Sequence, residues 1–445
     1  MTRSIGAALL ALSLGASASA GQDPAAAPSA DAAGQMEVVT LEEAIRRATS
    51  FDPEYIQALG RINNAEWSRR AALAAFVLPT IQGAGSWTKF SSDFFNIGTG
   101  EPSSQIVQAS LQGSLPLFRG GGRIAELNRS GADLRAATAT EVLELYQTAL
   151  DTETDYYDVL SRRELVQVAA QRLQRAEAQL GIARARVVSG AAVQSDSLQL
   201  LLEVTRARVD LLTEEAQLRV ARFQLGRRVG ADGPVDAAPF DATGLRELPI
   251  DAEGAVAAAL AAGPDYRAAV AEEERAQSAL SVERSAYSPQ VDLFGQVSAY
   301  DTRIFPDATV RSSFGVSVSV PLWTGGQREV RMSEARVARD VASARRFDIE
   351  RSVRRDVAAA YAAYVTARAV AELESQAVEV ATENLRVQES RYRGGATTIL
   401  DLLTAQVDLT EAEARLVQAR YTTWLALAGL EALLGRRLFD DRVEP

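Results

Sequence analysis

Two stretches decide how this chain folds: Ser-Leu-Pro-Leu-Phe-Arg-Gly-Gly-Gly-Arg at 114–123 and Ser-Val-Pro-Leu-Trp-Thr-Gly-Gly-Gln-Arg at 319–328. Pro116 and Pro321 stand 205 positions apart (321 − 116), and the same offset separates Gly190 from Gly395 and Asp196 from Asp401. A register kept over about 85 residues means an internal duplication. In each copy a strand pattern ends at the proline. A very long helix pattern then starts at the glycines, Gly120-Gly121 in the first copy and Gly325-Gly326 in the second.

On the N-terminal side of each junction the hydrophobic period is two. Ile81, Gly83, Gly85 and Trp87 alternate with Thr80, Gln82, Ala84 and Ser86; Val107, Ala109, Leu111 and Leu115 alternate with Gln108, Ser110, Gln112 and Ser114. The second copy repeats this with Val291, Leu293, Val297 and Ala299, then with Val310, Phe314, Val316 and Val318. The pattern predicts strands at 80–95, 104–118, 289–304 and 308–323, each with a core of about ten residues, one apolar face and one strongly polar face. Such strands suit a membrane barrel with lipid outside and water inside, and they also suit a soluble sandwich. Four strands cannot close a barrel, so the membrane alternative requires several chains to share one sheet.

On the C-terminal side, Gly121–Val188 and Gly326–Arg393 are proline-free runs of 68 residues each, or about 100 Å apiece as single helices. Ile349, Val353, Val357, Ala360, Tyr364 and Ala367 recur at coiled-coil spacing. The turns Ser189-Gly190-Ala191 and Gly394-Gly395-Ala396 stop these helices, and returning helices follow at 193–229 and 398–438. The first repeat spans 37–229 and opens with short helices, one starting at Leu41 and one at Pro53; the second spans 250–445. Between them, residues 230–249 are rich in Gly, Pro and Asp and read as a linker.

Composition narrows the function. A net charge of −11 disfavours nucleic-acid binding, because phosphates would be repelled. The chain has neither cysteine nor histidine, which removes thiolate sites, the usual proton shuttle and the commonest metal ligand. No catalytic residue, cofactor or metal is therefore expected. Arg3, the apolar run Ile5–Leu14 and Ala18-Ser19-Ala20 make residues 1–20 a secretory signal. Residues 21–36 read as a disordered lead-in. No later apolar run is long enough for a membrane-spanning helix. Trp87, Tyr300 and Trp323 are candidates for an interfacial aromatic belt.

Taken in order, the paired Pro-Leu-aromatic-x-Gly-Gly junctions, the segment Tyr392-Arg393-Gly394-Gly395-Ala396-Thr397-Thr398-Ile399-Leu400-Asp401-Leu402-Leu403 and the closing Gln418-Ala419-Arg420-Tyr421 make the chain resemble the TolC-like outer-membrane efflux proteins. The resemblance covers nearly all of the mature length. It implies an α+β membrane protein that assembles as a homotrimer, each protomer giving four strands to a twelve-stranded barrel in outer-membrane lipid. The long helices would form a periplasmic tunnel. It further implies a Gram-negative outer-membrane location, a periplasmic adaptor, and an inner-membrane ABC or proton-driven (RND-type) transporter as partners. The turns at Gly190 and at Gly394 and Gly395 would be the periplasmic tip that meets the adaptor. Asp401 matches the first acidic position of the family's gate, while Thr404 stands where a second acid is expected. Tyr392 and Asp196 match a pair that links neighbouring helices in the closed state, and Thr397 replaces an expected arginine. Independently of any family, Asp196 and Asp401 fall in the first turns of returning helices, where a carboxylate is favoured by the helix dipole alone. Protein secretion and small-molecule efflux both fit a passive duct. A non-conducting structural or adhesive coiled coil is the alternative class, and an enzyme would need an Asp/Glu pair that no segment suggests.

Overall fold

The computed structural model describes residues 36–97, 100–190, 192–240, 244, 246–303 and 308–439. The predicted signal at 1–20 and all but Met36 of the predicted lead-in lie outside these residues. From Val38 onward the chain forms one compact unit.

After the short strand β1 (Glu37–Val39), helix α1 (Leu41–Phe51) starts at a Thr40 cap, and α2 (Pro53–Val77) starts at Asp52. The Asp52 carboxylate accepts hydrogen bonds from the Glu54 and Tyr55 amides at 2.9 and 3.1 Å, and Pro53 occupies the first helical turn, where no amide proton is needed. Strands β2 (Thr80–Asn96) and β3 (Glu101–Arg119) lead to α3 (Gly122–Val188) and its return α4 (Gln194–Arg228). The second copy follows the same order: α5 (Ala252–Ala262), α6 (Pro264–Ser285), β5 (Gln290–Asp301), β6 (Thr309–Ser319), α7 (Gln327–Arg393) and α8 (Ile399–Leu434). Both α3 and α7 are single helices of 67 residues.

Four boundaries differ from the sequence expectation for physical reasons. Strand β6 ends at Ser319 rather than 323, just before Pro321, which has no amide proton to give a ladder. The strand β3 does not stop at Pro116; it continues to Arg119 across a register shift between Pro116 and Phe118. A bulge is where a sheet tolerates a residue without an amide proton. Helix α8 ends at Leu434 rather than 438, because Gly435 adopts a left-handed conformation (φ 65°) that terminates it. The inter-repeat segment is also more than a linker: it carries β4 (Val235–Ala237), which pairs with β1 as the Ala238 amide donates to Val39 O at 2.8 Å.

The main sheet has the order β2-β3-β5-β6, antiparallel throughout. Its register places Gly83, Leu111 and Val297 side by side, and likewise Leu115, Leu293 and Val316. Since side chains alternate between faces, one face is apolar and the other carries Gln82, Gln112, Gln296 and Ser313. The apolar face is exposed on this single chain: Ile81 is 67% accessible, Trp87 64%, Val316 59% and Phe314 89%. Tyr300 pairs with Gln108 on the polar face, which removes it from the expected aromatic belt; Trp87 and Trp323 remain exposed.

The helices pack on a core made by both copies. Tyr157, Leu160, Leu225, Tyr364 and Leu427 are almost fully buried there, against β1 and β4. The seam anticipated from α7 is buried at Val353, Val357 and Tyr364. At one edge, Arg437 bridges Glu153 (2.5 Å) and Glu431 (2.8 Å), fastening the end of α8 to the middle of α3. Both carboxylates are buried, so the shared guanidinium supplies the hydrogen bonds they would otherwise lose. Among the described residues no helix is long and apolar enough to cross a membrane.

A charge on the apolar sheet face tests this assignment. Val316→Arg is expected to cost about 2–4 kcal/mol in a lipid-facing strand, and to reduce the folded fraction recovered from membranes. Wild-type recovery would contradict the lipid-facing reading.

Candidate functional site

Two regions carry the sequence-predicted residues: the strand-to-helix corners and the hairpin tips. At each corner a pair of glycines takes left-handed angles, Gly120 (φ 57°) with Gly121 (80°) and Gly325 (65°) with Gly326 (80°). The first corner is crowded as well as left-handed, for a Cβ at Gly120 would lie 1.9 Å from Ser288 Cβ. An arginine closes each corner. Arg123 stacks on the Phe76 ring at 4.4 Å and donates to Leu117 O at 3.4 Å and to Phe76 O. Arg328, 205 residues later, stacks on Tyr287 at 4.1 Å and donates to Pro321 O at 2.9 Å. Cation–π contact plus a carbonyl bond pins the start of each long helix to the segment that enters its strand pair, the end of α2 at Phe76 and the turn after α6 at Tyr287. Sequence reasoning passed over these arginines, although both stand in the duplicated stretches at equal spacing.

At the other end of the long helices, Gly190 (φ 77°) and Gly395 (φ 73°) make the turns, while Gly394 retains helical angles. The two copies then diverge. In the second, Thr398 caps α8: its hydroxyl accepts from the Asp401 amide, and the Asp401 carboxylate accepts from the Thr398 amide at 3.1 Å. The same Asp401 oxygen accepts from the hydroxyls of Thr398 (2.7 Å) and Thr397 (2.9 Å). The signature Thr-x-x-Asp was readable as a capping box. These donors, the Thr398 hydroxyl first, hold the Asp401 carboxyl below its ordinary pKa. Thr404 bonds back to Leu400 O at 3.0 Å, and its side chain is occupied by its own helix. In the first copy, the position matching Thr398 is Val193, which offers no side-chain cap. Asp196 sits half-buried in the first turn of α4.

Tyr392 is only 4% exposed, in a cluster with Leu385, Leu402, Ala405 and Leu409 that binds α7 to α8. Its hydroxyl finds no hydrogen-bond partner among the described residues, so no hydrogen bond joins it to Asp196 in this structure. The pair interacts through space: burial first, then the Asp196 charge, push the phenol pKa up, and the Arg186 charge opposes this. Arg186, unanticipated from the sequence, stacks on the Tyr392 ring at 4.8 Å. Further from the tip, α3 reaches the second hairpin through Gln179 to Glu389 (3.0 Å) and Arg175 to Glu413 (2.9 Å). Among the described residues no cluster of acidic side chains is arranged to hold a metal.

The Asp401 cap has a defined pH window. Because the folded pKa is depressed, its contribution is present above the unfolded value of about 3.9 and is lost as pH falls through the folded value. Asp401→Asn is therefore expected to speed amide exchange over residues 399–403 at pH 7. Equal exchange in the two proteins at pH 7 would reduce Asp401 to an exposed charge.

Known proteins resemble this chain in sequence and in fold. The family model described as outer membrane efflux protein matches residues 44–231 and again 255–436, once per repeat. The chain is 27% identical over 295 residues to outer membrane efflux protein BepC of Brucella suis, a match covering 64% of this chain and 62% of BepC. It is 26% identical to the pyoverdine export outer membrane protein OpmQ of Pseudomonas aeruginosa, over 90% of this chain and 86% of OpmQ. Among solved structures, the outer membrane protein VceC of Vibrio cholerae superposes with a TM-score of 0.74 at 18% identity, over 90% of this chain and 97% of VceC. With both repeats matched by the family model and the fold reproduced over nine-tenths of its length, this chain belongs to the outer membrane efflux protein family.

Proposed function

We propose that the protein is the outer-membrane exit duct of a tripartite export system, carrying small molecules passively from an inner-membrane pump and its periplasmic adaptor to the outside. One observation carries the reading. The sheet ends in two strands, β2 and β6, each paired on one side only among the described residues, with an exposed apolar face on one side and a polar face on the other. In a bilayer, unpaired backbone donors and acceptors cost several kcal/mol each, and only a closed sheet satisfies them. Three copies of four strands give a twelve-stranded barrel with lipid on the apolar face and water on the polar one. The same assembly covers exposed apolar side chains along α4, among them Leu202, Val209, Leu212, Val220 and Phe223.

The reading assigns the tips, at Gly190 and at Gly394 and Gly395, to the adaptor, with Asp401, Asp196 and Tyr392 near the constriction. Asp401 faces solvent and is held ionised, so three copies would set three carboxylates around the opening, with Thr404 adding none. Efflux of small molecules is preferred over protein secretion on the names of the matched relatives, an efflux protein and a pyoverdine exporter. An ABC or a proton-driven pump fits equally, and energy enters only there.

The chain contains no cysteine, which makes the test clean. Val188, 88% exposed beside the first tip, accepts a single cysteine for crosslinking in cells. Capture of a periplasmic adaptor, together with a trimer that conducts in planar bilayers, is the expected outcome. A protein that is monomeric and non-conducting in membranes would return the reading to a structural coiled coil.

A further inference from the structure

We infer that the open cavity where the two repeats meet is a binding site for small aromatic anions, carboxylates or sulfonates. The inference does not depend on the duct reading. The cavity measures about 850 Å³ and lies between α1 and α3 of the first repeat, α7 and α8 of the second, and the segment that follows β4. Pockets for ligands of drug size span roughly 300–1,000 Å³. The wall is aromatic, with Tyr156, Tyr157, Phe240, Tyr364, Trp424 and Phe439 among its residues. Phe240 meets the Trp424 ring edge-on with centroids 5.3 Å apart, and its centroid lies 5.5 Å from that of Tyr157, so these rings are in mutual contact.

Such a wall offers water little. Tyr156 donates its hydroxyl to Ala238 O at 2.7 Å, and Tyr364 donates to Arg246 O at 2.6 Å. The polar ends of both tyrosines thus bind the inter-repeat main chain, and what they add to the cavity is ring surface. An ordered interior water takes about two to four polar partners, and protein interiors otherwise pack with few voids larger than a water. A planar apolar guest suits this wall better than a cluster of waters. Its edge and face contacts with the rings add to the gain from buried area.

Charge decides which guest. Three arginines line the cavity, Arg46, Arg246 and Arg437, against one acid, Glu42. Arg437 is held by Glu153 and Glu431, so its charge is matched inside the fold. Arg46 and Arg246 are exposed, which puts them at the mouth. Arg46 pairs with Glu43 one turn away; an exposed pair of this kind is worth little and yields to a better partner. Arg246 lies over the Phe439 ring at 6.0 Å, which joins a guanidinium to the wall itself. A guest with its ring inside and its acid at the mouth meets both surfaces, and guanidinium binds an oxyanion through charge-assisted hydrogen bonds. A cation of the same shape is repelled at entry. The guest touches both repeats and the segment between them, so binding also strengthens their junction.

The experiment titrates naphthalene-2-sulfonate into the full chain in detergent-free lipid nanodiscs, with assembly checked by size, and reads heat and tryptophan fluorescence. One saturable site per chain is expected, with a Tm that rises with ligand concentration as mass action requires. The matching cation, naphthalen-2-ylmethylammonium, should bind more than about tenfold more weakly, and Arg46→Gln and Arg246→Gln should each weaken the anion about tenfold, the loss of one charge-assisted bond. Phe240→Ala, at a partly exposed ring, should weaken binding as well. Arg436→Gln, at an exposed arginine outside the lining, should bind as wild type and controls for lost net charge. Should Phe240→Ala fail to assemble, the two exposed arginines carry the comparison. Equal binding of anion and cation overturns the inference, as do unchanged affinity in both lining-arginine variants and heat that empty nanodiscs reproduce. Absence of binding to the assembled full chain overturns it too, and binding only by a variant ending at Phe439 means that residues 440–445 fill the cavity instead. A chain that binds the anion but never conducts overturns the duct reading alone.

Discussion

A sheet of four strands cannot satisfy itself, and this constraint governs the rest of the molecule. The order β2-β3-β5-β6 leaves two open edges, and the alternation of side chains leaves an apolar face with nothing from its own chain to cover it. In water such an edge invites uncontrolled pairing; in a bilayer it is untenable unless it closes on another copy. Closure demands that each repeat deliver its strand pair at a fixed angle to its long helix. That demand falls on the corners, where left-handed glycines turn the chain and an arginine stacked on an aromatic ring holds the turn. The aromatic stands just before the strand pair of the same repeat, Phe76 at the end of α2 and Tyr287 in the turn after α6, so each repeat carries its own brace.

The duplication explains which features were legible in the sequence. Period-two and heptad patterns report burial averaged over many residues, and they located β5, β6, α3 and α7 to within a few positions. The glycines at 120, 121, 190, 325, 326 and 395 were legible because a left-handed angle nearly requires that residue. A further pair at the same offset, Gly230 and Gly435, also left-handed, ends the returning helices and went unread. Less legible was whatever depends on an unpaired pattern in a short segment. The three residues of β4 lie among Gly, Pro and Asp and are a strand only because β1 pairs with them. Pro116 looked like an end because proline lacks an amide proton, yet a bulge accommodates it.

The tip was legible in its residues and not in its contacts. The repeat spacing singled out Asp196 and Asp401, and the family resemblance added Tyr392; in the structure all three stand at the same ends of the long helices and their returns. Spacing along one chain does not reveal that Arg186 would lie across Tyr392, because that contact joins residues 206 apart on different helices. The arginine missing at Thr397 drew notice as a lost interaction. Instead Thr397 donates to Asp401, and a guanidinium reaches the same turn from the neighbouring hairpin.

The two tips also differ mechanically. The second begins its returning helix with a reciprocal box between Thr398 and Asp401, reinforced by Thr397; the first begins at Val193, with no side-chain cap. A capped helix start has few conformations to lose, whereas an uncapped one frays. A trimeric assembly would thus present stiff and compliant prongs in alternation around a ring. A partner gripping the stiff prongs gains orientation at small entropic cost, and the compliant prongs can adjust to its shape, so one ring of six contacts would combine rigid registration with tolerance for an imperfect fit.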